Sequence, residues 1–450
     1  MDGSISPRPT VAVVGAGISG LSAAWLLRRS HAVTVFDAAP RPGGHSLTVD
    51  VSIAGHTAPV DMGFIVFNTL TYPNLTALFA HLGVATEASE MSFGVSLEDG
   101  RFEYSGGSLA GLFAQPGNAF RPRLWSMLSD VVRFYRTAPA HLAALAQSQQ
   151  TLGDYLDQHH YGAAFRRDHL LPMAAAIWSA PAHAMLNYPA AAFIRFFENH
   201  GLLKLQDRPI WRTVSGGSRT YVEKLLSALP GSLRRNCAVT AVRRGDSGVE
   251  LSTRTGEPQR FDHVVIATHA DQALAILTDP SPQEQRSLGA FQYTDNLASL
   301  HTDARLMPKR RKAWSSWNVL GGDGDAPPVV TYWMNKLQSL PVAQDVFVTL
   351  NPHPEPRADL VLHTEHFRHP LFDAAALRAQ AGLWSLQGQR NTWYCGAYFG
   401  SGFHEDGLQA GLAVAEAIGA ERRPWSVAED SSRIALRPAT TGPFLSGLRS

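Results

Sequence analysis

The sequence predicts an α/β protein that opens with a strand–turn–helix–strand unit and continues into a larger, partly helical region. Two observations carry this. Short apolar runs alternate with glycines over residues 11–44, and residues 120–200 form a helical stretch rich in Ala, Phe and Arg. The chain has 450 residues, 45% hydrophobic and 17% charged, which allows a sizeable core. At about 150 residues per domain it suggests two or three domains.

Val11-Ala-Val-Val14 is a short buried-strand pattern. Gly15-Ala-Gly17-Ile18-Ser19-Gly20 follows, then a good helix, Leu21 to Leu27, and a second strand, Ala32 to Phe36, ending in Asp37. In this Rossmann-like arrangement Gly15 allows the tight turn and Gly17 lets backbone approach a pyrophosphate. Gly20 lets the helix pack on the strand. The helix N-terminus offers free N–H groups to phosphates, and Asp37 can accept from ribose hydroxyls. Arg41-Pro-Gly43-Gly44-His45 then places a second diglycine where backbone can approach a long ligand. NAD-binding folds do not need this element, so FAD is favoured. Val60-Asp-Met-Gly63-Phe64 is a further glycine turn.

Charge excludes little but points somewhere. Lys and Arg number 39 against 38 Asp and Glu, giving a net charge of +1 and no global reason to expect nucleic acid. Two distant cysteines, Cys237 and Cys395, suit a reducing compartment and exclude a thiolate metal cluster. No export signal is visible, and a cytoplasmic protein is expected. Residues 170–194 carry no Asp, Glu, Lys or Arg, yet Pro172, Pro181 and Pro189 argue for short buried helices rather than a membrane span.

On these motifs the chain resembles the flavin-containing amine oxidase superfamily. Later segments match in order: Ser215-Gly216-Gly217-Ser218, a meander around Val239, the returning strand Val264 to Thr268, Trp393-Tyr-Cys-Gly396, and Phe403-His-Glu-Asp406-Gly407 opening a helix at Leu408. Within it the chain looks like a bacterial branch associated with fatty acyl methylation, cyclopropanation and furan fatty acid synthesis. Asp61-Met-Gly-Phe-Ile-Val-Phe-Asn68 and Trp314-Ser-Ser-Trp-Asn318 carry that likeness. The resemblance implies a discontinuous FAD domain (9–70, 210–280 and 385–420), an α+β substrate domain (71–209 and 281–384) and a C-terminal tail or strap, 421–450. It also implies bound FAD, held by Gly15, Gly17, Ile18, Ser19, Gly20, Asp37, Arg41, Gly43, Gly44, His45, Gly63, Phe64, Val239, Gly396, Asp406, Gly407 and Leu408. The expected reaction is desaturation or oxidation of a methylated or unsaturated acyl chain, free or phospholipid-bound. A lipid methyltransferase is an expected associate. Amine oxidation and a carotenoid- or porphyrinogen-type desaturation are the alternatives; a non-catalytic flavin-binding partner of a lipid-modifying enzyme is the reading outside enzymology.

One departure weakens amine chemistry. Many amine oxidases carry a lysine on a substrate-domain strand, and Thr294 to Asp303 has none. Acid–base candidates are His45, His404, Tyr398, Glu405 and Tyr332, with packing or flavin hydrogen bonding the favoured reading for each. No metal is expected: His363, Glu365, His366 and His369 would need one helical face, but Asp359 to His363 reads as a strand and Pro370 follows directly. No G-x-S-x-G elbow supports a hydrolase.

The stretch Arg121 to Arg136 reads as a basic amphipathic helix with an apolar stripe at Leu124, Leu128, Val131 and Tyr135, widened by Trp125, Met127 and Val132. It offers either a peripheral membrane face, aided by Arg305, Lys309, Arg310, Arg311 and Lys312, or an ordinary domain helix with its stripe in the core. The second reading is favoured.

Overall fold

The computed structural model describes residues 8–145, 147–148, 150–178, 185–199, 201–204, 208–245, 248–321, 328–428 and 430–436. A five-stranded parallel sheet runs in the order Leu233–Arg234, Ala32–Phe36, Thr10–Val14, His263–Ile266, Thr392–Tyr394. Its central strands are buried on both faces, which is why Val11 to Val14 and Val264 to Ile266 read as unbroken apolar runs. The first helix, Ile18–Leu27, is buried along its whole length. It packs against the last one, His404–Ile418, so closely that a Cβ at Gly411 would overlap the Ser19 carbonyl oxygen. Near the same crossing, a Cβ at Gly407 would press on Ile18 and Ser19.

A second sheet of seven strands runs in the order Val361–Leu371, Gln292–His301, Phe347–Leu350, Val329–Trp333, Trp317–Leu320, Phe93–Leu97, Phe102–Ser105. Its pairings are antiparallel except for Trp317–Leu320 with Phe93–Leu97. The histidine-rich segment lies in the edge strand Val361–Leu371, which extends the strand read at Asp359 to His363 through Pro370. An antiparallel meander, Val239–Gly245, Gly248–Thr253 and Gln259–Phe261, sits beside the parallel sheet.

The helices of 122–199 build a separate apolar cluster with Phe102 and Tyr104. The helix Pro122–Thr137 turns Leu124, Met127, Val131 and Tyr135 into it, and Leu124 is fully buried. The stripe is therefore core, and the membrane reading of it is corrected: burial of these side chains leaves them nothing to offer a lipid. Trp125, expected to widen the stripe, is not buried and stays 52% exposed. The apolar run of 170–194 includes the helix Leu171–Trp178 and the start of another, Ala190–Asn199; Pro181 lies outside the described residues. No helix among the described residues is long and apolar enough to cross a membrane.

The described residues that follow Glu421, up to Leu436, form a strap; residues 437–450 of the expected tail lie outside the described residues. Arg423 is buried, donating to Glu416 and to the Asn74 side chain, and Trp425 stacks on Trp25 at 5.9 Å. Arg433 donates to Asp406 at 2.6 Å and to the Thr71 carbonyl.

Candidate active site

Between the two sheets lies a cavity of about 850 Å³, reaching from the glycine turns to the helical cluster. At one end its wall is backbone. Gly15 takes φ +105°, and a Cβ there would meet the Ala267 carbonyl oxygen at 2.8 Å. A Cβ on Gly17 would meet nothing within 4 Å and would project into the cavity that Gly17 lines. Gly44, at φ +57°, brings the second diglycine against Gly17, and the Gly43 N–H donates to the Ala16 carbonyl at 2.8 Å. Two glycine loops thus leave an open trough, with the N-terminus of Ile18–Leu27 at its edge.

Asp37 lines the trough, and its carboxylate accepts from the Ala16 N–H at 2.6 Å and the Ala39 N–H at 2.8 Å. Ile18, Ser19, Gly43, His45, Gly63, Phe64, Val239 and Gly396 also line the cavity. Tyr398 does too, and its buried hydroxyl has no hydrogen-bond partner among the described residues. An open glycine trough leading to an orphaned buried hydroxyl is what a long dinucleotide with a polar ring system would fill.

Several residues chosen from sequence are placed elsewhere. Gly20 does not line the cavity: its missing Cβ makes room for the Gly15 carbonyl oxygen. Arg41 is turned away from the cavity, donating to the carbonyls of Gly44 at 3.1 Å and Ser46 at 3.2 Å, so it shapes the diglycine loop. Glu405 is not an acid–base group. Its buried carboxylate accepts from the N–H groups of Asn74 and Leu75, the Asn74 amide and the Gln409 amide, clamping the start of the helix Pro73–Leu82. Asp406 accepts from the Ser401 and Phe403 N–H groups, capping the last helix. Gly407 and Leu408 face the first helix and the core; Phe403 and His404 are the residues of that N-terminus that reach the cavity.

His404 is held in a packed, hydrogen-bonded cluster. Its ring stacks on Phe64 at 3.8 Å, and Nε2 lies 2.8 Å from the Tyr221 hydroxyl and 3.0 Å from Ser46 Oγ. Burial pushes it down to about 3, so the imidazole is neutral. Tyr332 lines the far wall, edge-on to Trp317, and burial raises its hydroxyl above the usual phenol range.

A histidine cluster in the middle of the cavity was missed as a unit. His45 stacks on Phe367 at 5.0 Å and lies 5.5 Å from His369 and 6.2 Å from His269. Burial first, and the neighbouring imidazoles second, hold His45 well below the ordinary histidine range; burial brings His269 and His369 to about 4. The protons on His369 can be assigned by following donors. The Leu297 N–H donates to Asn351 Oδ1 at 2.8 Å, so Asn351 Nδ2 faces Asn296 and donates to its Oδ1 at 2.9 Å. Asn296 Nδ2 then donates to the Thr294 carbonyl at 3.1 Å and to His369 Nδ1 at 3.3 Å. A neutral imidazole accepting at Nδ1 carries its proton on Nε2. The signal in the sequence was the i, i+2 spacing of Phe367 and His369 on a strand, which puts both on one face.

The far end is apolar, lined by Met91, Phe93, Met173, Ile177, Phe196 and Trp317. Tyr104, Tyr135 and His169 supply its polar spots. The Tyr104 hydroxyl donates to the Asp168 carbonyl, so His169 donates to Tyr104 through Nδ1 and accepts from Tyr135 at Nε2. Arg208 is exposed, lines the cavity, and stands close enough to His169 and Tyr135 to act on both electrostatically. Asp37 is the one carboxylate in the described wall.

Residues 18–322 match the family described as flavin containing amine oxidoreductase. The chain belongs to that family. As a member it is a flavin-dependent oxidoreductase of mixed α/β fold, and the cofactor is FAD. It is 27% identical over 341 residues to the "Putative flavin-containing monoamine oxidase AofH" of Mycobacterium tuberculosis, covering 72% of this chain and 70% of that one. Among solved structures, a wild-type putrescine oxidase bound to putrescine aligns over 92% of this chain and 99% of its own, with TM-score 0.68 and 16% identity. A CLA-producing fatty acid isomerase from P. acnes aligns over the same shares, with TM-score 0.63 and 16% identity. At such identities these two likenesses concern the fold.

Proposed function

We propose that this flavoenzyme oxidises a methylated or unsaturated acyl chain, by desaturation or a related C–H oxidation, rather than an amine. One observation carries the reading. The substrate end of the cavity is apolar and carries the cation Arg208, while its lone described carboxylate, Asp37, lies at the glycine trough. An ammonium substrate would find no countercharge there, whereas an acyl chain would find apolar walls and a cation for its acidic head. The strand Gln292–His301, without a lysine, agrees with this.

Bound FAD supplies a two-electron hydride acceptor. Making a double bond also releases a proton from the adjacent carbon. The neutral imidazoles of His45 and His269 face the cavity and are the proton acceptors in this reading. His369, its Nδ1 occupied by Asn296, holds an Nε2–H that orients a polar group. Walls of Phe93, Trp317 and Tyr332 exclude water.

The test is anaerobic mixing of holoenzyme with acyl substrates, free and as phospholipid, and separately with mono- and polyamines. Bleaching of the flavin by the acyl compounds alone is expected, and it should weaken in Arg208→Leu for free acids. Rapid bleaching by an amine would overturn the proposal in favour of the monoamine oxidase activity named for the relative AofH.

A further inference from the structure

We infer that the surface around Leu109, Phe120 and Trp125 docks the protein on an anionic lipid bilayer. Among the described residues six large apolar side chains are exposed, and three of them fall within this short stretch: Leu109 is 76% exposed, Phe120 90% and Trp125 52%. Such clustering is unlike the scattered exposed apolar residues of an ordinary surface. Phe113 lies 6.2 Å from Trp125 and ties the patch to the helical core beneath, so the tips are carried on rigid structure. Trp125 satisfies its one donor by bonding the Ala119 carbonyl at 2.8 Å, leaving an apolar ring face outward. A tryptophan so placed suits the headgroup level of a bilayer.

Charge selects the occupant. The turn Leu109–Leu112 adjoins the basic turn Arg311–Ala313. The nearby acids are matched: Asp99 by Lys309, Glu103 by Arg310, and Asp345 by Arg311. Lys312 is exposed and makes no ion pair among the described residues, and Arg121 donates to the Arg101 carbonyl rather than to a carboxylate. Apolar tips rimmed by surplus positive charge fit an anionic membrane better than a protein groove. Of the stripe that the sequence suggested, Leu124, Met127, Val131 and Tyr135 are buried, and Trp125, which widens it, belongs to this surface.

Position adds a consequence. Gly106, exposed and lining the cavity, precedes Leu109 by three residues. Docking would set that part of the cavity wall against the lipid. The inference does not depend on which substrate the cavity takes.

The experiment is co-sedimentation of holoprotein with vesicles of phosphatidylcholine alone or mixed with phosphatidylglycerol, at low and high salt. Binding to the mixed vesicles, weakened by salt, is expected. Phe120→Glu and Leu109→Glu should each reduce it about tenfold or more, and Lys312→Glu by a smaller factor, with flavin content and melting temperature unchanged. No binding to mixed vesicles, or binding indifferent to Phe120→Glu and Leu109→Glu, overturns the inference. So does a wild-type dimer that becomes monomeric in Phe120→Glu, since the patch would then belong to a second copy of the chain.

Discussion

The two ends of the cavity are built on opposite principles. The nucleotide end is a surface of backbone: glycine turns, helix N-termini and one carboxylate held by two N–H groups. The substrate end is a surface of side chains drawn from strands and helices far apart in sequence. A backbone surface constrains the chain at fixed spacings and tolerates little change. A side-chain surface can vary residue by residue, which is how one fold serves many substrates.

The comparison can be broken first at the two glycines of the opening turn. Gly20→Val puts a Cβ into the Gly15 carbonyl oxygen, a backbone atom that cannot yield, and should cost ~4 kcal/mol or more, leaving little folded protein on expression. At Gly17 a Cβ meets nothing within 4 Å, so Gly17→Leu adds its side chain on the cavity side. That protein should be folded, with near-normal circular dichroism, yet colourless and unable to take up FAD. If both variants fail alike, the trough is a packing device rather than a ligand surface.

Acid should act on the side-chain half. Burial lowers His169, His269, His301 and His369 to about 4 and His404 to about 3, against 6.5 for the free imidazole. Between those values the unfolded chain binds more protons than the folded one, so stability is full above pH 6.5 and falls as pH drops towards 4. Asp61, raised by burial to about 6, and Asp406, also raised by burial, work the other way, but they are two groups against five histidines. Denaturant midpoints should therefore fall between pH 7 and pH 5; an unchanged midpoint would show that these rings are hydrated.

The smallest expected effect is the sharpest. Asn296→Leu removes the donor to His369 Nδ1 and frees the ring to exchange tautomers. Nitrogen NMR of the imidazole should move from one Nε2–H form to a mixture, and flavin reduction should slow by a few-fold, about 1 kcal/mol for one lost hydrogen bond. Asn296→Asp should instead raise the His369 pKa and bring its titration into the neutral range. A variant that changes the rate but not the NMR signature would assign Asn296 a packing role only.

The same contrast explains what could be read in the amino-acid sequence. Gly15, Gly17, Asp37, Gly43 and Gly44 stand out because a tight turn and a close approach admit few residue types at few spacings. The strand start at Asp359 to His363 was legible for similar local reasons, whereas the order of the strands depends on pairings between segments far apart in the chain. Arg41 and Glu405 were hard to place, and Asp406 admitted both readings, because a charged residue beside a glycine motif looks the same whether it meets a ligand or caps a helix. Their partners, Ser46, Asn74 and Arg433, are distant in the chain or only positioned by folding. The relay from Asn351 through Asn296 to His369 was invisible, since three strands must pair in register before it exists.

The strap has a consequence for the order of manufacture. Trp425 stacks on Trp25, and the strand Thr392–Tyr394 completes a sheet begun at Thr10–Val14. At roughly 5–20 residues per second of synthesis, the opening nucleotide unit waits tens of seconds for its final strand and its covering tryptophan. During that interval Trp25 and one edge of the sheet have no native cover. A chain released early, short of Trp425, would keep every glycine of the trough and still lack the piece that closes the back of the first helix.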